Sequence, residues 1–279
     1  MDTTFLQDSS FVTLENQAFD AIQRIFPCEH ELLDKIPLDN IIQRFQKDLI
    51  QEEHPFLIRV AGQSGAGKSS QIVPALEYAL QNKNYIKINV GAFAPFHPNY
   101  KKWQTSCPEQ MREKTNGFAL RALVMFYKHC ILNHVNIVFD MTLLEPEIDL
   151  YLMILAKKMS YKIQTHVLCV PRKISDLFIH LRQLKTGRIV KASSSDYFFK
   201  ALAPCLSALT HSGLFNQKDI LVLWSHYLTR PIQKTHLNNP SVMRLLNRFR
   251  QRPLCIKNPK ALSQAKKRWM KQLMENQDV

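Results

Sequence analysis

The segment VAGQSGAGKSSQ, residues 60–71, constrains this chain more than any other stretch of it. The chain holds only seven glycines, and three of them, Gly62, Gly65 and Gly67, stand together here. With Lys68 and Ser69 they complete the pattern G-x-x-x-x-G-K-[ST]. The flanks agree with it. Residues 56–61 are a short, mostly apolar run of strand length, and apolar residues at 72, 73, 76, 79 and 80 follow at helical spacing. A strand, a glycine loop and a helix in that order form a cradle for phosphate. Backbone N–H groups and the positive end of the helix dipole face the anion. The nucleotide-binding stretch is therefore Gly62, Gln63, Ser64, Gly65, Ala66, Gly67, Lys68, Ser69 and Ser70. Lys68 is placed to neutralise the β- and γ-phosphates of ATP or GTP, and Ser69 to offer its hydroxyl to Mg²⁺. Pro74 falls about two turns into the following helix, where a proline predicts a kink.

Beyond the loop, apolar runs at 85–90, 135–141, 162–170 and 220–224 alternate with amphipathic stretches at 69–82, 115–133, 146–159, 173–184 and 195–211. This alternation predicts an α/β fold with a mainly parallel sheet flanked by helices. Residues 1–50 show helical spacing, with Phe19, Ile22, Ile25 and Phe26 on one face. The expected organisation is an N-terminal helical segment (1–50), a phosphate-loop domain (51–230) and a basic helical C-terminal extension (231–279).

A hydrophobic fraction of 46% supports a substantial core. The six cysteines, at 28, 107, 130, 169, 205 and 255, form no C-x-x-C pair. They predict free thiols in a reducing compartment, and argue against a zinc site or a disulfide framework. With no secretory signal pattern and no run of 18 apolar residues, the expected location is cytoplasmic, without a membrane span. The net charge of +14 is concentrated at one end: residues 230–279 carry 12 Lys/Arg and 2 Asp/Glu. Such a tail can attract nucleic acid or an acidic protein, or can simply be a solvated basic face.

Ligands of parallel sheets bind at the carboxyl ends of the strands, so residues just after each run carry most of the functional information. NIVFDMTL, residues 136–143, ends a run with Asp140 and Thr142. Asp140 suits a Mg²⁺ ligand or a partner for a substrate hydroxyl, and both residues also suit a helix N-cap. His97, in FHPNY, is a candidate substrate contact or an ordinary structural histidine. Arg182 and Arg188 offer the fixed positive charge that phosphoryl transfer needs, although spacing alone also fits surface arginines.

In this order the pieces resemble the zeta toxin family of phosphate-loop kinases, the toxin halves of bacterial toxin–antitoxin systems. The resemblance spans roughly residues 50–230. It rests on GQSGAGKSS (62–70), FHPNY (96–100), NIVFDMT (136–142), SYKIQTHVLCVPRKIS (160–175), the two arginines and LTHSGLF (209–215). It implies transfer of the γ-phosphate of ATP or GTP, with Mg²⁺, to the sugar 3′-hydroxyl of UDP-N-acetylglucosamine, and inhibition by a small helical antitoxin. It also implies that Lys68 is the phosphate-loop lysine, that Arg182 and Arg188 stabilise the transferring phosphoryl group, and that Thr142 binds the sugar nucleotide. Asp140 stands where the family usually has a glutamate. The sequence departs from the family at the expected catalytic aspartate, which is Gly91, and at a second acidic substrate-binding position, which falls near Val124. Glu113 stands too far upstream to match that second position. Asp140 is a possible substitute base. The alternative is a catalytically weak nucleotide-binding protein whose basic tail engages nucleic acid or a protein partner.

Overall fold

The structure is a computed structural model that describes residues 3–28, 32, 35–186, 192–224 and 233–251. Its centre is a six-stranded sheet in the order β2-β3-β1-β4-β5-β6. The strands are β1 (Phe56–Ala61), β2 (Ile86–Asn89), β3 (Ile137–Asp140), β4 (Lys162–Leu168), β5 (Ile220–Trp224) and β6 (Gln233–His236). β1 to β5 pair in parallel, and β6 joins β5 antiparallel. The five parallel strands lie within the sequence-predicted runs. β6 was not anticipated: Gln233, Lys234, Thr235 and His236 show no apolar alternation, a composition suited to an exposed edge. The extension expected to be helical thus begins with a strand, and most of it lies outside the described residues.

Strand geometry sends alternate side chains to opposite faces. On β1, Leu57 and Ala61 face a large core, while Ile58 and Val60 face a smaller one. Arg59 points to the large-core side, where its guanidinium meets the carboxylate of Asp149, and both side chains are fully buried. That core is built with α1 (Ser9–Ile25), α2 (Leu38–Phe45), α5 (Met111–Leu132), α6 (Pro146–Lys158) and α8 (Ala192–His211). α4 (Tyr100–Ser106) leads into α5, and α9 (Val242–Arg250) packs on α8. The smaller core lies beneath α3 (Val73–Ala79), which follows the glycine loop, and includes Ile72, Val73, Leu76, Val138 and Leu168.

The helix after the loop does not kink at Pro74. Residues Lys68–Ile72 form a wide π-type turn, and the α-helical part starts only at Val73, which puts Pro74 in its first turn. The ring thus follows an irregular wide turn and not a run of regular α-helix. The N-terminal segment docks on the same body. α1 is capped by Asp8, which accepts from the Ser10 N–H at 2.8 Å, and it packs on α6 and α5. No disulfide joins the described cysteines. Among the described residues no helix is long and apolar enough to cross a membrane.

Candidate functional site

Register aligns the carboxyl ends of the central strands: Val60 is opposite Asp140, and Asn89 is opposite Asp140 from the other side. The glycine loop leaves β1 at this edge. The strand order turns here too, since β1 lies between β3 and β4 while its chain successor, β2, lies beyond β3. This is the switch point at which doubly wound sheets open a crevice. A cleft of about 1330 Å³ lies there. Its walls are loop residues 64–70, the ends of β2 and β3, the first turns of α5, helix α7 (Arg172–Thr186) and the start of α8. Ile25, Phe26 and Pro27, at the end of α1, close one side.

The loop is held by packing as well as by its own conformation. Gly65 adopts φ +77° and Gly67 φ +100°, angles that L side chains rarely take. A Cβ on Gly65 would stand 2.3 Å from the carbonyl oxygen of Ser175, so α7 presses directly on the loop. Gln63 pins it further by donating to the Val170 carbonyl at 2.6 Å and the Ser175 hydroxyl at 2.8 Å. Gln63 is buried, and neither it nor Gly62 lines the cleft, whereas Ser64 through Ser70 do.

Four of the predicted residues, Lys68, Ser69, Asp140 and Arg182, meet at this loop. The Lys68 ammonium donates to the Gly62 carbonyl at 2.6 Å, which holds it over the loop. Ser69 donates its hydroxyl to Asp140 Oδ2 at 3.1 Å. Arg182, on α7, donates from Nη2 to Ser64 Oγ at 3.2 Å, and burial pushes its guanidinium below the usual pKa. Thr142 also lines the cleft. Arg188 lies outside the described residues.

His97 stands apart from this group. It is 2% exposed, lies between the rings of Trp103 (tilted, centroids 4.6 Å apart) and Phe118 (edge-on, 5.0 Å), and accepts from the Asn99 N–H at its Nδ1, 3.0 Å away. It does not line the cleft, and its surroundings are those of a structural histidine. Gly91 does line the cleft, in the Val90–Ala92 turn after β2. Val124 is fully buried in α5 and faces the core. Glu113, set aside in the sequence as too far upstream, lines the cleft from the first turn of α5, and Glu109 lines it from just before that helix. Arg112, Lys185 and Phe178 also line it, and no motif marks them.

Among the described residues no group of three or more His, Cys, Asp or Glu side chains could hold a metal by itself. The Ser69–Asp140 pair fits a different arrangement. Mg²⁺ at phosphate sites keeps most of its waters and takes one or two protein oxygens, with phosphate oxygens filling other positions.

A parallel sheet, a glycine loop opening a helix, a lysine over that loop and a serine–aspartate pair beside it define a phosphate-loop protein of the kinase-like phosphotransferase class. A model of the zeta toxin family matches residues 39–229, more than half of the chain, and the chain belongs to that family. Among solved structures, one from work on the PezAT chromosomal toxin–antitoxin system of Streptococcus pneumoniae superposes with a TM-score of 0.68 at 18% identity. The match covers 90% of this chain and 99% of that one, and it shows a shared fold. An AvrRxo1-ORF1:-ORF2 complex gives a TM-score of 0.49 at 15% identity, covering 81% of this chain and 72% of that one. The same complex with ATP gives 0.46 at 14% identity, covering 81% and 64%. No curated protein matches the sequence.

Proposed function

We propose that the protein binds ATP or GTP with Mg²⁺ in this cleft and transfers the γ-phosphoryl group to a hydroxyl of a sugar nucleotide such as UDP-N-acetylglucosamine. The observation that carries the reading is the meeting of Lys68, the Ser69–Asp140 pair and Arg182 at one loop. Backbone N–H groups of residues 64–69 would hold the phosphate chain, with Lys68 on the β- and γ-oxygens. Ser69 and Asp140 would hold Mg²⁺, which neutralises charge on the phosphates when bound. Arg182 would meet the charge that develops on the transferring group, and in this reading Arg188 joins it. Phosphoryl transfer has a loose transition state, so positioning and electrostatics supply most of the rate. Thr142 would orient the acceptor. Asp140, held against Ser69, suits the metal better than the attacking hydroxyl.

Residues 51–230 are taken as the catalytic unit in this reading, with 1–50 as a helical segment against it and 231–279 as a basic extension. Family membership favours a cytoplasmic toxin restrained by a small antitoxin, and the PezAT system named for the S. pneumoniae structure supports such a partner. Gly91 favours a second reading, a nucleotide binder of little catalytic power whose basic tail serves nucleic acid or a protein. It leaves the end of β2 without a carboxylate.

Purified protein incubated with ATP, Mg²⁺ and UDP-N-acetylglucosamine tests the choice by mass spectrometry, with Lys68→Ala as control. A product heavier by one phosphate, absent with the variant, is expected. Nucleotide binding that Lys68→Ala removes, with no product, would favour the second reading.

A further inference from the structure

Asn89 ends β2 with a side-chain amide that the fold does not use. An asparagine before a helical turn normally caps it, but Asn89 makes no side-chain bond to the Val90–Ala92 turn that follows. Among the described residues its amide makes no other hydrogen bond. The residue is half-buried and lines the cleft. Its neighbours are engaged. Lys87, the previous residue on the same face of β2, pairs with Glu77 at 2.6 Å. Asp140, the register partner of Asn89 on β3, accepts from Ser69 at 3.1 Å.

Strand alternation fixes where the amide stands. Ile86 and Ile88 belong to the large core, so Lys87 and Asn89 turn to the opposite face. Phe139 belongs to the large core and Val138 to the small one, so Asp140 turns to that face as well. Asn89 and Asp140 are therefore side by side on adjacent strands, about 4.8 Å apart. On the far side of Asp140 comes Val60 of β1, just before the phosphate loop. Gly91 has no side chain to cover the amide: a Cβ there would meet Asn89 Oδ1 at 3.2 Å.

Resting on the phosphotransfer reading above, we propose that Asn89 orients the acceptor hydroxyl. Its amide oxygen accepts the hydroxyl's hydrogen bond and holds the acceptor oxygen beside Asp140, toward the loop. That oxygen bonds to the γ-phosphorus as the bond to the leaving nucleoside diphosphate breaks. A neutral amide accepts a hydrogen bond but takes no proton, so the hydroxyl proton passes to an oxygen of the transferred phosphoryl group. A loose transition state suits this route, because little bonding to the nucleophile has formed when the barrier is crossed.

Steady-state turnover of the full chain, with ATP, Mg²⁺ and UDP-N-acetylglucosamine as the probe acceptor, tests this beside titrations with Mg²⁺ and the non-hydrolysable ATP analogue AMP-PNP. Asn89→Ala is expected to lower kcat/KM for the acceptor roughly 10-fold, while AMP-PNP affinity and the Mg²⁺ concentration for half-maximal rate stay within about twofold. The thermal midpoint should not fall, since the amide has no hydrogen bond to lose among the described residues. Asn89→Asp keeps the accepting oxygen, so it should restore turnover at about pH 8 and lose it more steeply than wild type below about pH 5, where the new carboxylate binds a proton. A merely structural role would give no such pH dependence. Equal kcat/KM in wild type and Asn89→Ala, or a wild-type pH profile in Asn89→Asp, would overturn the assignment. So would a raised Mg²⁺ requirement in Asn89→Ala, which would put the residue on the metal, or a loss of AMP-PNP affinity, which would put it on the donor. AMP-PNP binding by the wild-type protein with no phosphorylated product would instead remove the sugar-nucleotide reading, and this inference with it.

Discussion

The hydroxyl of Ser69 donates to Oδ2 of Asp140 at 3.1 Å, joining the turn after the phosphate loop to the end of the neighbouring strand. β1 and β3 are adjacent and in parallel register, so their carboxyl ends emerge side by side and the contact follows from the topology. A serine hydroxyl and a carboxylate at this separation suit one hard cation between them. The metal role proposed for Asp140 rests on this pair.

Asp140→Asn keeps the shape and a hydrogen-bond acceptor but removes the charge. Turnover should fall roughly 10- to 100-fold, and the Mg²⁺ concentration for half-maximal activity should rise. Nucleotide binding measured in EDTA should be unchanged. A Mg²⁺ titration of turnover checks this, and an unaltered curve would remove Asp140 from the metal site.

Gly91 sits at the end of β2 in the wall of the same cleft, without a positive φ. A Cβ there would meet only Asn89 Oδ1, at 3.2 Å, the end of a side chain that can turn aside. Gly91→Asp is therefore sterically tolerable. General-base assistance is worth about 10²–10⁴-fold, so the variant should raise turnover at least about tenfold at unchanged nucleotide affinity. Steady-state kinetics of the two proteins decide it, and equal rates would show that this position is not the vacated seat of a base.

Gly65 is a different case, because backbone rather than a flexible side chain blocks it. A Cβ would overlap the Ser175 carbonyl at 2.3 Å and would demand a positive φ of an L residue. Gly65→Ala should cost about 1–3 kcal/mol and push the loop off α7, weakening nucleotide binding out of proportion to the stability change. Urea unfolding and nucleotide titration of the same variant check both parts. Full nucleotide affinity in a destabilised protein would separate the loop's shape from its contact with α7.

The parts of the site written in consecutive residues were legible in the sequence. The loop is one contiguous motif, and Asp140 and Thr142 follow a strand whose end must face it. Contributions set by tertiary packing were not. α5 is buried on nearly all sides from Phe118 to Val124, so hydrophobic spacing says nothing about which face meets the cleft. Its phase is fixed by contact: a Cβ on Gly117 would lie 2.4 Å from the Phe26 carbonyl, so the end of α1 rests on this helix. That seating brings Arg112 and Glu113 into the cleft and sends Val124 to the core. His97 was ambiguous for the same reason, because the rings that enclose it come from α4 and α5. β6 escaped notice because a polar edge strand has no hydrophobic period.

The sheet itself carries a pH-sensitive group that does not line the cleft. His166 on β4 is buried, and its Nδ1 accepts from the Trp224 indole N–H of β5 at 2.9 Å. Burial lowers its pKa from 6.5 to about 4. The folded protein therefore keeps the ring neutral where the unfolded chain already binds a proton. The resulting stability is fully present above pH 6.5 and is lost as pH falls from there towards about 4. At about pH 5 the loss amounts to about 2 kcal/mol. His166→Gln retains an acceptor for Trp224 but cannot titrate. Urea unfolding at about pH 7.5 and about pH 5 should show a smaller acid-induced loss in the variant by about that amount. Equal losses in the two proteins would mean that His166 is protonated in the folded state, which the indole donor at Nδ1 opposes, since an imidazolium cannot accept that hydrogen bond.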